Sequence, residues 1–296
     1  MYRLIYLSGV FLMMSMSIMA CNQDDKSGSQ KQQDDITSRM AREHEGDKPV
    51  AAAAMEGAPS QPVRAEEVTY ATIDNKPIKG YLSMPEQASG SLPGIIVIHE
   101  WWGLNDNIRT MTRKLAGEGY TALAVDLYNG QVASTPDSAQ ALMREAMQDE
   151  ETGKENLRQA YAYLSDELNA PKIGVVGWCF GGGWSLTVAL TMPDKIDATV
   201  IYYGRLVTDA DQLAPLSMPI MGNFGAEDHG IPPSTVREFE SALDSLGKTN
   251  DIKIYDGAGH AFANPSGTRY QPKAAQDAWQ RTLSFFNNYL KGETAE

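Results

Sequence analysis

A cysteine in a tight glycine turn is the residue of this chain best suited to chemistry. Cys179 lies at the centre of the Gly-Trp-Cys-Phe-Gly stretch 177–181, directly after the apolar run 173–176. Small residues on both sides let a strand and a helix approach closely, and the N-terminus of that helix favours a thiolate. The pattern predicts a strand, a sharp turn with sulfur as the nucleophile, and a helix. The alternative is a structural cysteine buried in an ordinary glycine-rich turn.

An acid and a histidine follow the cysteine in the order that such a nucleophile requires. The apolar segment 219–224 ends in a turn that carries the neighbouring acids Glu227 and Asp228. The alternating segment 252–255 leads into a loop with His260 at its tip. An imidazole can take the proton of a thiol, and a carboxylate can hold that imidazole in the required tautomer. The three groups together indicate nucleophilic catalysis by a cysteine.

These side chains must be brought to one place by a sheet, because the carboxyl ends of parallel strands meet at one edge. Two N-terminal strands around the turn at 74–75 predict an antiparallel edge. After them strands alternate with helices, which indicates an α/β domain with a mostly parallel sheet covered on both faces. The predicted strands are 68–73, 78–84, 94–98, 121–126, the strand before Cys179, 198–203, 218–224 and 251–255. The predicted helices are 107–117, 137–148, 153–168, the helix after Cys179, 234–246 and 272–290.

Three motifs together resemble the dienelactone hydrolase (carboxymethylenebutenolidase) family. They are His-Glu-Trp-Trp-Gly at 99–103, Gly-Trp-Cys-Phe-Gly-Gly at 177–182 and Gly-Ala-Gly-His-Ala-Phe at 257–262. The likeness extends from about Val68 to about Lys291. It implies an α/β-hydrolase fold and the hydrolysis of ester or lactone substrates.

The resemblance also implies roles for single residues. Cys179 is the nucleophile, and Glu100 lies beside it and keeps the thiol poised until substrate displaces the carboxylate. Only one of the two adjacent acids can face His260, and the family's Asp followed by an Ile-Pro pair selects Asp228. The alternative for Glu100 is a surface acid after a strand. His99 orders its turn, and His229 is a bystander.

The same geometry predicts an oxyanion hole made by the backbone N–H groups of Phe180 and Trp101. The family arginine that holds the carboxylate of dienelactone is replaced here by Asn264. We therefore expect an ester or lactone hydrolase, and whether dienelactone is among its substrates stays open at this point. The candidate substrate-binding residues are Trp102, Tyr128, Arg205, Asn264 and Tyr270.

The N-terminus predicts export. Residues 1–20 have a short positive region and an apolar core, and they end in Ile-Met-Ala before Cys21. This resembles the signal peptide and lipidated cysteine of a bacterial lipoprotein, on the periplasmic or cell-surface side of the envelope. The alternative, a membrane anchor, is disfavoured because roughly 16 apolar residues are short for a bilayer. Residues 21–65 are polar and of low complexity, which predicts a disordered tether, and a short helix around 36–45 has no obvious partner.

Composition limits the remaining choices. Residues 66–292 suffice for one domain with a sizeable core. The net charge of −13 argues against nucleic acid and anionic membrane surfaces as partners. The chain has 2 cysteines, so lipidation of Cys21 leaves Cys179 without a disulfide partner. The spacing of His, Cys and acids predicts no metal site, and we expect no cofactor.

Two other functions stay open at this point. One is a hydrolase of acyl or thioester groups on envelope components. The other is a silent hydrolase fold kept as a surface binding protein, which would be marked by a missing catalytic residue. Cys179, Asp228 and His260 are all present, which favours an enzyme.

Overall fold

A computed structural model describes residues 37–49, 58–88 and 90–292. The predicted signal peptide, the predicted lipidation site Cys21 and most of the predicted tether lie outside these residues. The boundaries 1–20, 21–65 and 66–292 therefore stay predictions.

Eight strands form one sheet in the order β1-β2-β4-β3-β5-β6-β7-β8. The pairs β1/β2 and β2/β4 are antiparallel, and all other pairs are parallel. The central strands β3 and β5 are buried along their whole length, as expected for a sheet covered on both faces. The strands are β1 (Val63–Ile73), β2 (Lys76–Pro85), β3 (Gly94–Ile98), β4 (Thr121–Val125), β5 (Ile173–Trp178), β6 (Ala198–Tyr202), β7 (Ile220–Gly225) and β8 (Asn250–Tyr255). The predicted fold class is confirmed.

Helices connect and cover these strands. A short helix α1 occupies residues 37–43. The others are α2 (Asp106–Gly117), α3 (Pro136–Gln148), α4 (Glu150–Ala162), α5 (Phe180–Thr191), α6 (Ala210–Leu213), α7 (Pro233–Ser245) and α8 (Pro272–Phe286). Helices α4 and α8 each continue into a π-helical turn, at Tyr163–Glu167 and Asn287–Lys291. The sequence did not predict α6, which has a single turn.

The edge hairpin is closed by the expected two-residue turn. Asp74 and Asn75 both have positive φ, 49° and 61°. Two successive left-handed residues match the right-handed twist of the flanking strands, and Asp and Asn tolerate that conformation well. The turn therefore fixes the register of β1 on β2.

The centre of the sheet is the point where the chain reverses its direction of winding. From β3 the chain moves outward to β4, and it then returns to β5 on the other side of β3. At such a point the loops after the two strands separate and leave a crevice, which is where open α/β sheets bind ligands. Glu100 follows β3 and Cys179 follows β5, so both lie at this crevice.

Residues 37–49, which we call the N-terminal segment, pack against the same edge of the sheet. The sequence offered this short helix no partner, because its composition is polar. The structure provides one: Met40, His44 and Asp47 are all buried. Their burial comes from a few specific contacts to loops around the crevice. Among the helices of the described residues, none is both long and apolar enough to cross a membrane.

Candidate active site

Cys179 has the backbone strain expected of a nucleophile on a sharp turn. It caps α5 with φ 54° and ψ −114°, a conformation that residues other than glycine rarely adopt. A Cβ at Gly177 would lie 2.2 Å from the backbone of Gly181, and a Cβ at Gly181 would lie 2.4 Å from the carbonyl oxygen of Ile98. The two flanking glycines are therefore required for the strand, the turn and the helix to approach one another.

Asp228 and His260 form a buried hydrogen-bonded pair beside this turn. The Nδ1 atom of His260 lies 2.8 Å from Oδ2 of Asp228. The other carboxylate oxygen accepts hydrogen bonds from the backbone N–H groups of Gly230 and Ile231, each at 2.8 Å. Glu227, the neighbouring acid, is exposed. The structure thus brings together the acid and the histidine that the sequence analysis selected.

A second histidine, which the sequence analysis left in the tether, contacts the cysteine directly. The Nε2 atom of His44 lies 3.5 Å from Sγ of Cys179. The Nδ1 atom of His44 lies 2.9 Å from a carboxylate oxygen of Asp47. The sulfur and one ring nitrogen from each of His44 and His260 all lie within 4.8 Å of one another. The one sequence signal was a His and an Asp three residues apart in an otherwise featureless stretch.

The surroundings of Cys179 favour its thiolate. Burial alone would raise the pKa of the thiol, but the charge of His260 and the hydrogen bond and charge of His44 outweigh burial and lower the pKa to about 6. The effect is reciprocal. Burial would lower the pKa of His260, but Asp228 and Cys179 raise it well above its ordinary value. The pKa of His44 is also raised, because Asp47 and Cys179 outweigh its burial.

Glu100 lies in the same buried cluster, with hydrogen bonds to two neighbours. Burial and then the charge of Cys179 raise the pKa of Glu100 to about 7. Its carboxylate accepts hydrogen bonds from the hydroxyl of Tyr203, at 3.3 Å, and from the side-chain amide of Asn264. Asn264, one of the predicted substrate-binding residues, therefore holds Glu100.

The two predicted oxyanion donors lie at the ends of β5 and β3. Phe180 is the first residue of α5, and a backbone N–H at that position has no partner within its own helix. Trp101 follows β3 in the turn after Glu100, and its side chain is fully buried. Both residues therefore border the crevice.

The two remaining histidines lie where the sequence analysis expected them. His99 is buried, accepts a hydrogen bond from the backbone N–H of Leu127 at Nε2, and bonds the carbonyl of Glu100 through Nδ1. Burial lowers the pKa of His99, so it is a neutral ring that orders its turn. His229 is exposed.

A cavity of about 60 Å³ lies beside Cys179. Its wall is mostly apolar and sulfur-rich, with Arg205 and Glu150 as its charged members. The apolar wall is formed by Met40, Met143, Met147, Phe180, Trp184 and Ile231. Met40, Arg205 and Ile231 also border a larger, more polar neighbouring cavity of about 480 Å³.

Of the five candidate substrate residues, the structure places Arg205 in the wall of this cavity. Trp102 is buried against Trp101. Tyr128 packs on the ring of His99 and borders a different cavity. Tyr270 is half-buried outside the wall, and Asn264 is engaged with Glu100.

A thiolate and two imidazoles are also ligands that suit a divalent metal such as Zn²⁺. His44, Cys179 and His260 form such a set within 4.8 Å. The sequence predicted no metal site, because its His, Cys and acids do not have the spacing typical of metal ligands. The set arises only when the N-terminal segment packs on the sheet.

Comparison with known proteins yields a consistent group of relatives. The sequence profile described as "Dienelactone hydrolase family" matches residues 78–290. "Protein usf" of Aquifex pyrophilus is 33% identical over 220 residues, covering 72% of this chain and 94% of that protein. A "Putative carboxymethylenebutenolidase" of Saccharolobus solfataricus is 32% identical over 263 residues, covering 76% of this chain and all of the relative.

Solved structures agree with the sequence relatives. The crystal structure titled "Putative Dienelactone Hydrolase" from Klebsiella pneumoniae superposes with a TM-score of 0.70 at 29% identity, covering 77% of this chain and 100% of the other. A bacterial brefeldin A esterase matches with a TM-score of 0.65 at 14% identity, covering 88% of this chain and 87% of the other, which shows a shared fold.

Proposed function

This chain is a member of the dienelactone hydrolase family of ester and lactone hydrolases, and we propose that it cleaves its substrate with Cys179 as the nucleophile. One observation carries the proposal. Cys179, in a strained conformation at the start of a helix, lies beside the buried Asp228–His260 pair. The pKa of its thiol is about 6. A thiol with that pKa is largely thiolate at neutral pH, and the thiolate is the nucleophilic form.

The reaction proceeds through an acyl-thioester. The sulfur of Cys179 adds to the carbonyl carbon, and the negative charge on the carbonyl oxygen is held by the N–H groups of Phe180 and Trp101. The leaving alcohol takes the proton that the thiol had given to a neighbouring imidazole, and the acyl group stays on sulfur. Water then attacks the thioester as His260, oriented by Asp228, takes its proton. The carbon–sulfur bond breaks, and the sulfur recovers its thiol proton.

Glu100 controls the charge of the cluster. With a pKa of about 7, its carboxyl group is roughly half protonated at neutral pH. An ionised Glu100 disfavours the thiolate, and a protonated one does not. We therefore assign to Glu100 the role of keeping the thiol poised until substrate enters the crevice.

The cavity beside Cys179 fits a small, apolar acyl group. Its wall consists mostly of methionine and aromatic side chains, and Arg205, the one cationic side chain among its described lining residues, also borders the larger, more polar cavity. The alcohol side of an ester can extend into that larger cavity. The substrate class we propose is accordingly a short-chain carboxylic ester or a lactone.

Loss of the nucleophile tests this function. In the full chain, Cys179→Ala should lower the hydrolysis of p-nitrophenyl acetate at least 10³-fold, on the order of the loss for a catalytic nucleophile. Iodoacetamide should abolish activity in step with the labelling of Cys179. Circular dichroism serves as the folding control, and a series of esters with a dienelactone defines the substrate range. Undiminished esterase activity in a folded Cys179→Ala variant would exclude this function.

We also propose that the protein is exported and held at a membrane by lipid on Cys21. The support is the sequence pattern of residues 1–20 and the small residue before the cysteine. In a bacterial host, the full chain should carry an acyl mass and sediment with membranes. Cys21→Ser should lose both properties, and Cys179→Ser should keep them. A parent protein with the unprocessed, unacylated mass would contradict this proposal.

A further inference from the structure

The N-terminal segment supplies a second Asp–His pair that meets the same sulfur as the first. Asp47 bonds Nδ1 of His44 at 2.9 Å, and Nε2 of His44 lies 3.5 Å from Sγ of Cys179. His44 is 0% exposed, as is His260. The nucleophile is therefore flanked by two imidazoles, each backed by its own carboxylate.

The carboxylate of Asp47 is held in the way that Asp228 is held. One of its oxygens accepts hydrogen bonds from both the backbone N–H and the hydroxyl of Thr268, at 2.7 and 2.8 Å, and the other oxygen faces His44. Asp228 likewise receives two N–H donors on one oxygen and His260 on the other. Each acid thus has one oxygen fixed by the protein and one available to orient an imidazole.

The ring of His44 is also fixed in its plane. It stacks on Trp101 with ring centroids 4.2 Å apart and an angle of 21° between the planes. The ring of His260 meets it edge-on at 5.3 Å. A surface histidine on a passing segment would not be held from three sides in this way.

The hydrogen-bond partners determine what each nitrogen can do. A carboxylate only accepts, so Nδ1 of His44 carries a proton, and in the neutral ring the lone pair of Nε2 faces the thiol. His44 can then accept the thiol proton and, once protonated, donate a hydrogen bond to the thiolate. A ring nitrogen of His260 also lies within 4.8 Å of the sulfur, but its Nε2 has no hydrogen-bond partner among the described residues. Of the two imidazoles, His44 therefore has the hydrogen-bond geometry to the sulfur.

We propose that His44 is a further catalytic residue, the base that activates Cys179, and that Asp47 is its positioning residue. This inference rests on the proposed function and divides its steps between two histidines. The S–H bond of Cys179 breaks, and the proton moves to Nε2 of His44. After the thiolate has added to the carbonyl, the protonated His44 returns that proton to the departing alcohol. His260 then takes a proton from water in the second step and gives it back to the sulfur.

The test uses full-length His44→Gln and Asp47→Asn variants, with His229→Gln as the matched control because His229 is exposed. Two quantities are measured across pH: kcat/KM for p-nitrophenyl acetate and the rate of alkylation of Cys179 by iodoacetamide. We expect His44→Gln to lose about 100-fold in kcat/KM at neutral pH and Asp47→Asn to lose less, within the range of general-base effects. The His229→Gln variant should match the parent.

The pH dependence of alkylation distinguishes a role of His44 in ionising the thiol from a purely structural role. In the parent the rate should rise with an inflection near the thiol pKa of about 6. In His44→Gln the inflection should move toward the ordinary thiol value of about 8.5. A purely structural role for His44 would leave the inflection unchanged.

Two results would overturn the inference while leaving the proposed function intact. One is a folded His44→Gln variant with the parent's inflection and activity. The other is a variant with higher activity, since His44 would then cover the sulfur instead of activating it. In both cases Cys179→Ala would still be inactive. Activity in Cys179→Ala would instead remove the proposed function itself.

Discussion

The two Asp–His pairs around Cys179 are alike in geometry and different in origin. Asp228 and His260 follow β7 and β8, so the sheet itself fixes their positions. Asp47 and His44 lie before the first strand, and only side-chain contacts and hydrogen bonds hold them at the crevice. Residues 78–290, which match the family, include the first pair and exclude the second. A shared fold can thus carry one half of a site while the other half comes from chain outside it.

The two Asp–His pairs also differ in how firmly the protein anchors them. The turn that carries Asp228 follows the buried strand β7, and a Cβ at Gly225 would lie 2.3 Å from the carbonyl oxygen of Ala258 in the loop before His260. The N-terminal segment instead uses contacts between side chains and loops, among them the ion pair of the buried Glu43 with the partly exposed Arg269, at 3.9 Å. Asp47 anchors the segment through two short hydrogen bonds from Thr268, at 2.7 and 2.8 Å.

The largest effect we expect comes from replacing each histidine in turn. The two variants should differ in the catalytic step that they impair. His260→Ala should lower turnover about 10³-fold and leave an acyl group on Cys179, because the thioester then lacks its base for water. His44→Ala should be slow without accumulating the acyl-enzyme, because the earlier step is impaired.

Intact mass spectrometry after mixing with p-nitrophenyl acetate measures the acyl-enzyme, and the burst of p-nitrophenol measures its formation. If both variants accumulate the same fraction of acyl-enzyme, the two histidines do not act in separate steps.

A smaller effect is expected when a single hydrogen bond of the outer pair is removed. Thr268→Val deletes the hydroxyl that donates to Asp47 and keeps the backbone N–H. We expect a two- to fivefold loss of kcat/KM and about 1 kcal/mol of stability at neutral pH, the usual contribution of one hydrogen bond. Thr199→Val is the matched control, because the buried hydroxyl of Thr199 has no hydrogen-bond partner among the described residues. Its removal should be neutral.

The stability difference between parent and Thr268→Val should depend on pH. Burial would raise the pKa of Asp47, but hydrogen bonds from His44 and Thr268 outweigh burial and lower it below 3.8. An acid whose pKa is lowered by folding stabilises the folded state at pH values above its pKa in the unfolded chain. This stabilisation is lost as the pH falls through its pKa in the folded protein. Urea unfolding should therefore show the full difference in unfolding free energy between parent and Thr268→Val at pH 7, and a smaller difference below about pH 4. A difference that grows on acidification would contradict the assigned contact.

The sequence predicted the part of the site that depends on strands. Cys179, Asp228 and His260 were found because each follows a strand with a clear pattern, and strand order then places them at one edge. His44 and Asp47 could not be found in this way. Their segment has little apolar periodicity, and its position is decided by Thr268 and Trp101, which are distant in the chain.

The wall of the cavity shows the same limit. Arg205 was foreseen, whereas Met143, Met147 and Trp184 were not, because the helix face that turns toward Cys179 depends on how α3 and α5 pack. The resemblance to the family predicted that Asn264 stands at the position of the family arginine. Its hydrogen bond to Glu100 became evident only from the structure.

Because His44 lies outside the sheet, the residues that suffice for the fold are fewer than the residues proposed to carry out the reaction. The sheet, its helices and the Asp228–His260 pair are complete without residues 37–49. A protein trimmed to residues 58–292 would retain all eight strands and the turn of Cys179 but lose the imidazole that touches the sulfur. Such a fragment would be expected to fold and to hydrolyse slowly. A search for substrates with the trimmed domain would then underestimate the enzyme, and the natural starting point for assays is the chain that includes residue 37.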